Sequence, residues 1–368
     1  MLYLCRMKLT LKIKLLPDIS QRELLIETIK EANNACNCIS NIAWQHQVFN
    51  QFKLHRECYY YIKSISKLSA QMIVRCISKV SDSYKIDKKV KREFRLLGGI
   101  TYDNRILTYK PNDMVSIWTI EGRTKMPFVC HNRNYLPYIK GEADLVFKND
   151  KFYLFQTVEV PEEDIKNIEE FIGVDLGLVS IATLSNGKEF NSKELQNYRE
   201  KRQKVRSSLQ SKCTKNAKRV LKRLSGRERT HGTIINHSIS KQIVKLAKSE
   251  GKGIAIEDLT GIRFSANKKG KKFRTRVGKW SFDQLRQFLA YKCLLNGVKL
   301  ICVPPAYTSK TCNCCFHIGN RRGKKFTCSN CNSVFDADVN AAKNIALLGM
   351  SINHPEKPSM LYSVMHYA

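Results

Sequence analysis

An α/β unit joined to a small β-barrel is the fold class that the sequence predicts, and three observations predict it. Short alternating runs separated by turn signals fill residues 92 to 160. From Phe171 to Glu257, buried-type apolar strands are separated by helical periodicity. Between Cys312 and Cys331, two Cys-x-x-Cys pairs flank a short basic stretch. A chain of 368 residues has room for two or three folding units.

The first strand is Lys8-Leu-Thr-Leu-Lys-Ile-Lys, which alternates with period two. After Pro17, Ser20 and Glu23 have the spacing of a capping box, and Leu24, Leu25, Ile29, Ala32 and Ala35 continue at helical intervals. A second helix follows Ser69, with Ile73, Cys76, Ile77 and Val80 on one face. Residues 19–85 therefore read as a helical unit, interrupted around Tyr59, Tyr60 and Tyr61. These tyrosines are assigned to core or boundary positions, with base stacking as the lesser alternative.

Ile100-Thr-Tyr, Met114-Val-Ser-Ile-Trp-Thr-Ile, Asp144-Leu-Val-Phe and Phe152-Tyr-Leu-Phe then read as strands of a barrel that includes the first strand. Acidic Pro161-Glu-Glu-Asp marks a boundary. Beyond it, Phe171-Ile-Gly-Val-Asp175 is a buried strand, and Ser185-Asn-Gly turns into a second one. Ile239, Ile243, Leu246 and Ala247 mark a helix that Gly251 can end, and Gly253-Ile-Ala-Ile-Glu257 is a short buried strand. Hairpin, helix, strand and final helix around one sheet suggest an α/β unit of the RNase H type.

Charge decides the class of partner. The chain carries 64 Lys and Arg against 32 Asp and Glu, a formal net charge of +32. Self-repulsion on that scale favours a polyanionic partner. No apolar run approaches the ~20 residues of a spanning helix, and the opening residues are too short for a secretory segment. Strand patterning from Met7 makes that residue a second candidate start. The 14 cysteines, scattered outside the terminal cluster, read mostly as reduced thiols in a cytoplasmic protein.

The cations concentrate between Arg199 and Arg229, where sparse apolar anchors predict helices with a cationic outer face. Arg202, Arg206, Lys218, Arg219, Lys222 and Arg223 are its candidate phosphate contacts. A solvated helical surface is the bland alternative.

Three carboxylates stand out in a chain poor in acids. Asp175 and Glu257 close apolar strands, and Asp338 precedes a helix. Two-metal phosphodiester cleavage needs carboxylates converging from several elements, around ions ~3.5–4 Å apart. Gly173 and Gly177 beside Asp175 would let a substrate backbone approach. Each acid also has a plain reading: a turn at Asp175, an ion pair at Glu257 or Asp258, a helix N-cap at Asp336 or Asp338. Cys312, Cys315, Cys328 and Cys331 have the spacing of one structural Zn²⁺ site, with Cys314 and His317 as possible substitutes. Arg321, Arg322, Lys324 and Lys325 place positive charge at the tip of that knuckle.

As an ordered set, Gly173-Val-Asp175-Leu-Gly, Ile256-Glu257-Asp-Leu-Thr, Tyr307-Thr-Ser-Lys-Thr-Cys312, Cys328-x-x-Cys331 and Asp336-Ala-Asp338-x-Asn-Ala-Ala-Lys-Asn-Ile resemble the TnpB proteins of transposons and their relatives, the miniature type V CRISPR effectors. The resemblance covers roughly residues 170–347. It implies an RNA-guided DNA endonuclease with a guide RNA and target double-stranded DNA as partners. Asp175, Glu257 and Asp338 would be its catalytic acids, holding two Mg²⁺ ions, with Asp336 as runner-up for Asp338. It also implies a wedge-type barrel (1–18 and 86–165), an inserted recognition domain (19–85), a RuvC-like domain (166–305 and 336–350), a zinc-ribbon insert (306–335) and a tail (351–368). Phe316 departs from the family, which more often has glycine after the second thiol. The alternative is a catalytically silent, RNA-guided or plain nucleic-acid-binding regulator.

Overall fold

The computed structural model describes residues 6–165, 168–177, 179–259, 270 and 282–354. The chain forms two compact units, dividing after Pro161.

In the first unit, β1 (Arg6–Leu15) leads into α1 (Ile19–Gln45), α2 (Gln51–Ile65) and α3 (Ala70–Ile86). The strands β2 (Ile100–Tyr102), β3 (Leu107–Lys110), β4 (Met114–Thr119), β5 (Gly122–Cys130), β6 (Ile139–Lys148) and β7 (Lys151–Pro161) follow. They form one antiparallel sheet in the order β2-β6-β7-β1-β5-β4-β3. Alternation in β1 buries Leu11, Ile13 and Leu15 and exposes Lys8, Thr10 and Lys12, as expected of a strand with one face on a core. Tyr102 of edge strand β2 donates to the Trp118 carbonyl of β4, 2.9 Å away. The two ends of the strand order thus curl together into a nearly closed barrel.

Two local expectations are corrected here. The N-cap of α1 is Asp18, not Ser20. Its carboxylate accepts from the Gln21 N–H at 2.8 Å while the Gln21 side chain accepts from the Asp18 N–H, and the Ser20 hydroxyl only donates to Asp18. The tyrosine stretch does not interrupt the helical unit but lies inside α2. Asn50 caps that helix, and the buried stripe Leu54, Cys58 and Ile62 recurs every four residues. Tyr60 and Tyr61 flank the stripe at 79% and 55% exposure, so they are not core residues.

The second unit contains β8 (Phe171–Asp175), β9 (Ser180–Leu184), β10 (Glu189–Asn191), α4 (Lys193–Ser211), α5 (Lys215–Leu224), α6 (Arg227–Glu250), β11 (Gly253–Glu257), α7 (Phe282–Leu295) and β12 (Leu300–Val303). Its sheet runs β10-β9-β8-β11-β12, antiparallel from β10 to β8 and parallel from β8 through β11 to β12. Two strands, not one, precede the Ser185-Asn-Gly turn, because the chain already reverses between β8 and β9.

Strand alternation sorts the layers. Ile172, Val174, Ile254 and Ile256 face Ile239, Ile243 and Ala247 of α6 and Leu285 and Leu289 of α7. Phe171 and Ala255 face Ile345 and Leu348 of the last helix. That helix approaches so closely that a Cβ on Gly173 would lie 1.8 Å from the Ala342 carbonyl oxygen. On Gly177, a Cβ would meet the Ser180 carbonyl oxygen at 2.8 Å. Both glycines therefore serve the chain's own packing, not a substrate's approach. Gly173→Ala is expected to cost at least about 3 kcal/mol of stability by forcing backbone apart, measured as the shift in urea midpoint; an unchanged midpoint would contradict the packing.

After β12 come β13 (Asn320–Arg322), β14 (Lys325–Thr327) and β15 (Val334–Asp336), a small antiparallel sheet, and then α8 (Ala337–Asn353). The helix runs past the expected boundary at residue 350, and the tail expected beyond it lies, from residue 355, outside the described residues. No helix among the described residues is long and apolar enough to cross a membrane.

Candidate metal centres

Asp175 ends β8, and Glu257 ends the parallel neighbour β11 at the same sheet edge. In parallel α/β sheets, functional groups gather beyond the carboxyl ends of the strands. Asp338 joins them from the first turn of α8. Asp336 is the N-cap of that helix: its carboxylate accepts from the N–H groups of Asp338 (3.0 Å) and Val339 (3.1 Å), so the plain reading applies to it. The ion pair expected of either Glu257 or Asp258 belongs to Asp258, which meets Arg286 at 3.1 Å.

Electrostatics shows that the three acids are neighbours. The Asp175 carboxyl is pushed up to about 7, first by loss of hydration and then by repulsion from Glu257 and Asp338. Burial raises Glu257 as well, opposed by a hydrogen bond from the Thr308 hydroxyl. Carboxylates crowded together away from water favour a cation among them. Arg321 partly answers this, donating to Asp338 at 2.6 Å and lowering both other acids by its charge. Among the described residues, only the four knuckle thiols have donor atoms all within 4.8 Å of one another, so the acids do not close into a cage. Hard oxygen donors with space between them suit Mg²⁺, which keeps several waters. The donor set fits.

The raised carboxyl fixes a pH dependence. Asp175 gains a proton as pH falls through about 7, and a metal must displace that proton. Mn²⁺ affinity, measured by calorimetry, is expected to be flat above about pH 8 and to fall about tenfold per unit well below about pH 7. An affinity independent of pH would contradict the shared site.

In the knuckle, Cys312 and Cys331 sulfurs lie 3.6 Å apart, and those of Cys315 and Cys328 3.5 Å. A tetrahedron with ~2.3 Å bonds has edges of about 3.8 Å, so the four thiols are already close to zinc geometry. Hydrogen bonds favour the thiolate at two of them: the Ser333 hydroxyl draws Cys331 down to about 6, and the His317 N–H lowers Cys315. Cys314 is exposed beside Asn313, and neither it nor His317 belongs to the four-thiol group. Phe316 holds φ +60°, the left-handed region that suits glycine, and its ring packs against the Phe171 and Ile345 core.

Sequence reasoning missed the residues that fasten the knuckle to the acids. Buried Asn340 accepts from the Asn313 N–H (3.0 Å) and donates to the Thr311 carbonyl (2.7 Å). Buried Asn344 donates to the carbonyls of Thr308 and Thr311. Their signal was present: two asparagines four residues apart on the apolar side of α8. Asn340→Ala leaves buried partners unsatisfied and is expected to cost about 2–3 kcal/mol and to weaken zinc about tenfold or more. Competitive chelation titration measures this; wild-type affinity would contradict it.

Of the predicted cations, Arg206, Lys218, Arg219, Lys222 and Arg223 are exposed on α4 and α5. Arg202 lies over the Tyr198 ring at 5.1 Å and, with Arg206, lines a groove of about 490 Å³ between α4 and α5. Arg322 and Lys325 are exposed at the ribbon. Arg321 and Lys324 are exposed there too, and pair with Asp338 at 2.6 Å and Glu189 at 2.9 Å.

Two family models match the chain, a Cas12f1-like TNB domain at residues 282–345 and a probable transposase at residues 155–261. TnpB-like protein MJ0751 of Methanocaldococcus jannaschii is 38% identical over 151 residues, covering 41% of this chain and 54% of that one. CRISPR-associated endodeoxyribonuclease Cas12f1 of Sulfoacidibacillus thermotolerans is 31% identical over 222 residues, covering 54% and 51%. The chain spans about half the length of these curated relatives. In a solved complex of Cas12f1 with sgRNA and target DNA, the protein shares the fold at a TM-score of 0.60 and 15% identity, over 89% of this chain and 83% of that one.

Proposed function

Because the chain belongs to the TnpB family, we propose that it is an RNA-guided, divalent-metal-dependent endonuclease. It cuts DNA complementary to a bound guide RNA, beside a short flanking motif, and it acts in the cytoplasm in association with a transposable element. The observation that carries this reading is geometric: Asp175 and Glu257 end adjacent parallel strands at one sheet edge, and Asp338, in the first turn of α8, is near enough to act on Asp175. The strand order β10-β9-β8-β11-β12, with acids ending β8 and β11, supports a RuvC-like nuclease domain. In the same reading, the barrel is a wedge-type domain, the α1–α3 unit is the recognition domain and the four-thiol ribbon is the target-strand insert.

When bound, Mg²⁺ supplies Lewis acidity at the scissile phosphate and a nucleophilic water. The chain's own residues supply the geometry. Asp175 and Glu257 present carboxylates from rigid strand ends, and Asp338 adds a third from α8. The Thr308 hydroxyl fixes one Glu257 oxygen. Exposed α4 and α5 cations neutralise backbone phosphates, while base pairing with the guide selects the sequence.

The test is to purify the protein, sequence the RNA that accompanies it and offer a duplex that matches this RNA. Cleavage that requires both the RNA and Mg²⁺ is expected. Bound RNA without cleavage under any divalent ion would favour the silent regulator, and no bound RNA would overturn the guided reading.

A further inference from the structure

We propose that the solvent face of α2 is a stacking platform for unpaired bases of a nucleic-acid strand. Phe52, Arg56, Tyr59, Tyr60 and Lys63 recur at intervals of three, four and seven residues and so share one side of the helix. The opposite side is the buried stripe Leu54, Cys58 and Ile62. Phe52 is 78% exposed and Tyr60 79%. Large rings presented this openly on one helix face mark a binding surface.

The rings are already ordered. His55 and Tyr59 stack with centroids 4.7 Å apart and planes 17° from parallel, and Tyr60 stands edge-on to Tyr59 at 5.3 Å. A base that lands on this array need order little protein. Charge complementarity identifies the occupant. Lys53, Arg56 and Lys63 are exposed among the rings, and none of the three is in an ion pair among the described residues. Glu57, the helix's one acid, is turned to His46 at 3.0 Å. Aromatic rings interleaved with cations are the two components of single-strand binding: faces for bases and charge for phosphates. A second copy docking on the same face by two-fold symmetry would set these cations against their own kind.

The proposal rests on the reading of the chain as a nucleic-acid-binding protein, so its test omits cleavage. The full-length protein in EDTA is titrated with a labelled oligouridine of about 12 nucleotides carrying 5-bromouridine, and irradiated. Crosslinks at Tyr59 or Tyr60 are expected. Phe52→Ala with Tyr60→Ala should weaken binding about tenfold or more at an unchanged salt slope. Lys53→Ala with Arg56→Ala and Lys63→Ala should reduce the slope by about 2. Crosslinks confined to α4 and α5, with wild-type affinity in the ring variant, would overturn the platform and leave the nucleic-acid reading standing. Self-association that only the ring variant abolishes would assign the face to a second copy. A wild-type protein that ignores the oligonucleotide altogether would sink both readings.

Discussion

Asp175→Ala lowers Mg²⁺-dependent cleavage of guide-matched DNA by at least about a thousandfold, roughly 4 kcal/mol of transition-state stabilisation. Burial and the nearby charges of Glu257 and Asp338 hold the Asp175 carboxyl up, and Asp175 ends the strand on which α8 packs. Removing its carboxylate deletes a metal ligand while leaving β8 and its neighbours in place. DNA binding should therefore stay within about threefold of wild type, because phosphate contacts lie on other elements. Asp175→Asn, of nearly the same shape, should lose cleavage as fully and should also raise the melting temperature of the metal-free protein at pH 8, where like charges no longer face one another. Wild-type cutting by either variant, read on a denaturing gel, would refute the assignment.

Removing zinc has the other large effect. Structural zinc supplies an apparent 10–16 kcal/mol in small zinc-finger peptides, and the described core of this ribbon is slight: Cys312, Phe326, Cys328 and Ala337. With strong chelator, or with Cys328→Ser, residues 306–335 should lose hydrogen-exchange protection while the barrel unit keeps its own. Arg321 and Lys324 ride on the ribbon and meet Asp338 and Glu189, so both ion pairs should be lost with it. Unchanged exchange across the ribbon after verified zinc loss would contradict a structural role.

How far these features were legible depended on whether the determining interaction was local in sequence. Thiol spacing is local, and Cys312, Cys315, Cys328 and Cys331 converge as read. Acids ending apolar strands are also legible, because a charge after Ile-Gly-Val or Ile-Ala-Ile has few places to go except the sheet edge. Gly173 was misread, since only the three-dimensional packing reveals the Ala342 carbonyl in the space of its missing side chain. The ion pairs of Arg321 and Lys324 were not legible for the same reason: their partners lie 17 and 135 residues away. The Tyr59–Tyr61 stretch hid α2 because three aromatic residues in a row obscure a helical period that Leu54, Cys58 and Ile62 carry.

The most direct measurement is anomalous diffraction from crystals soaked in Mn²⁺. Peaks bounded by the carboxylates of Asp175, Glu257 and Asp338 are expected, with Arg321 displaced from Asp338 and the peaks abolished in Asp175→Ala. Manganese bound elsewhere, with those three side chains unliganded and Arg321 still on Asp338, would contradict a shared metal site.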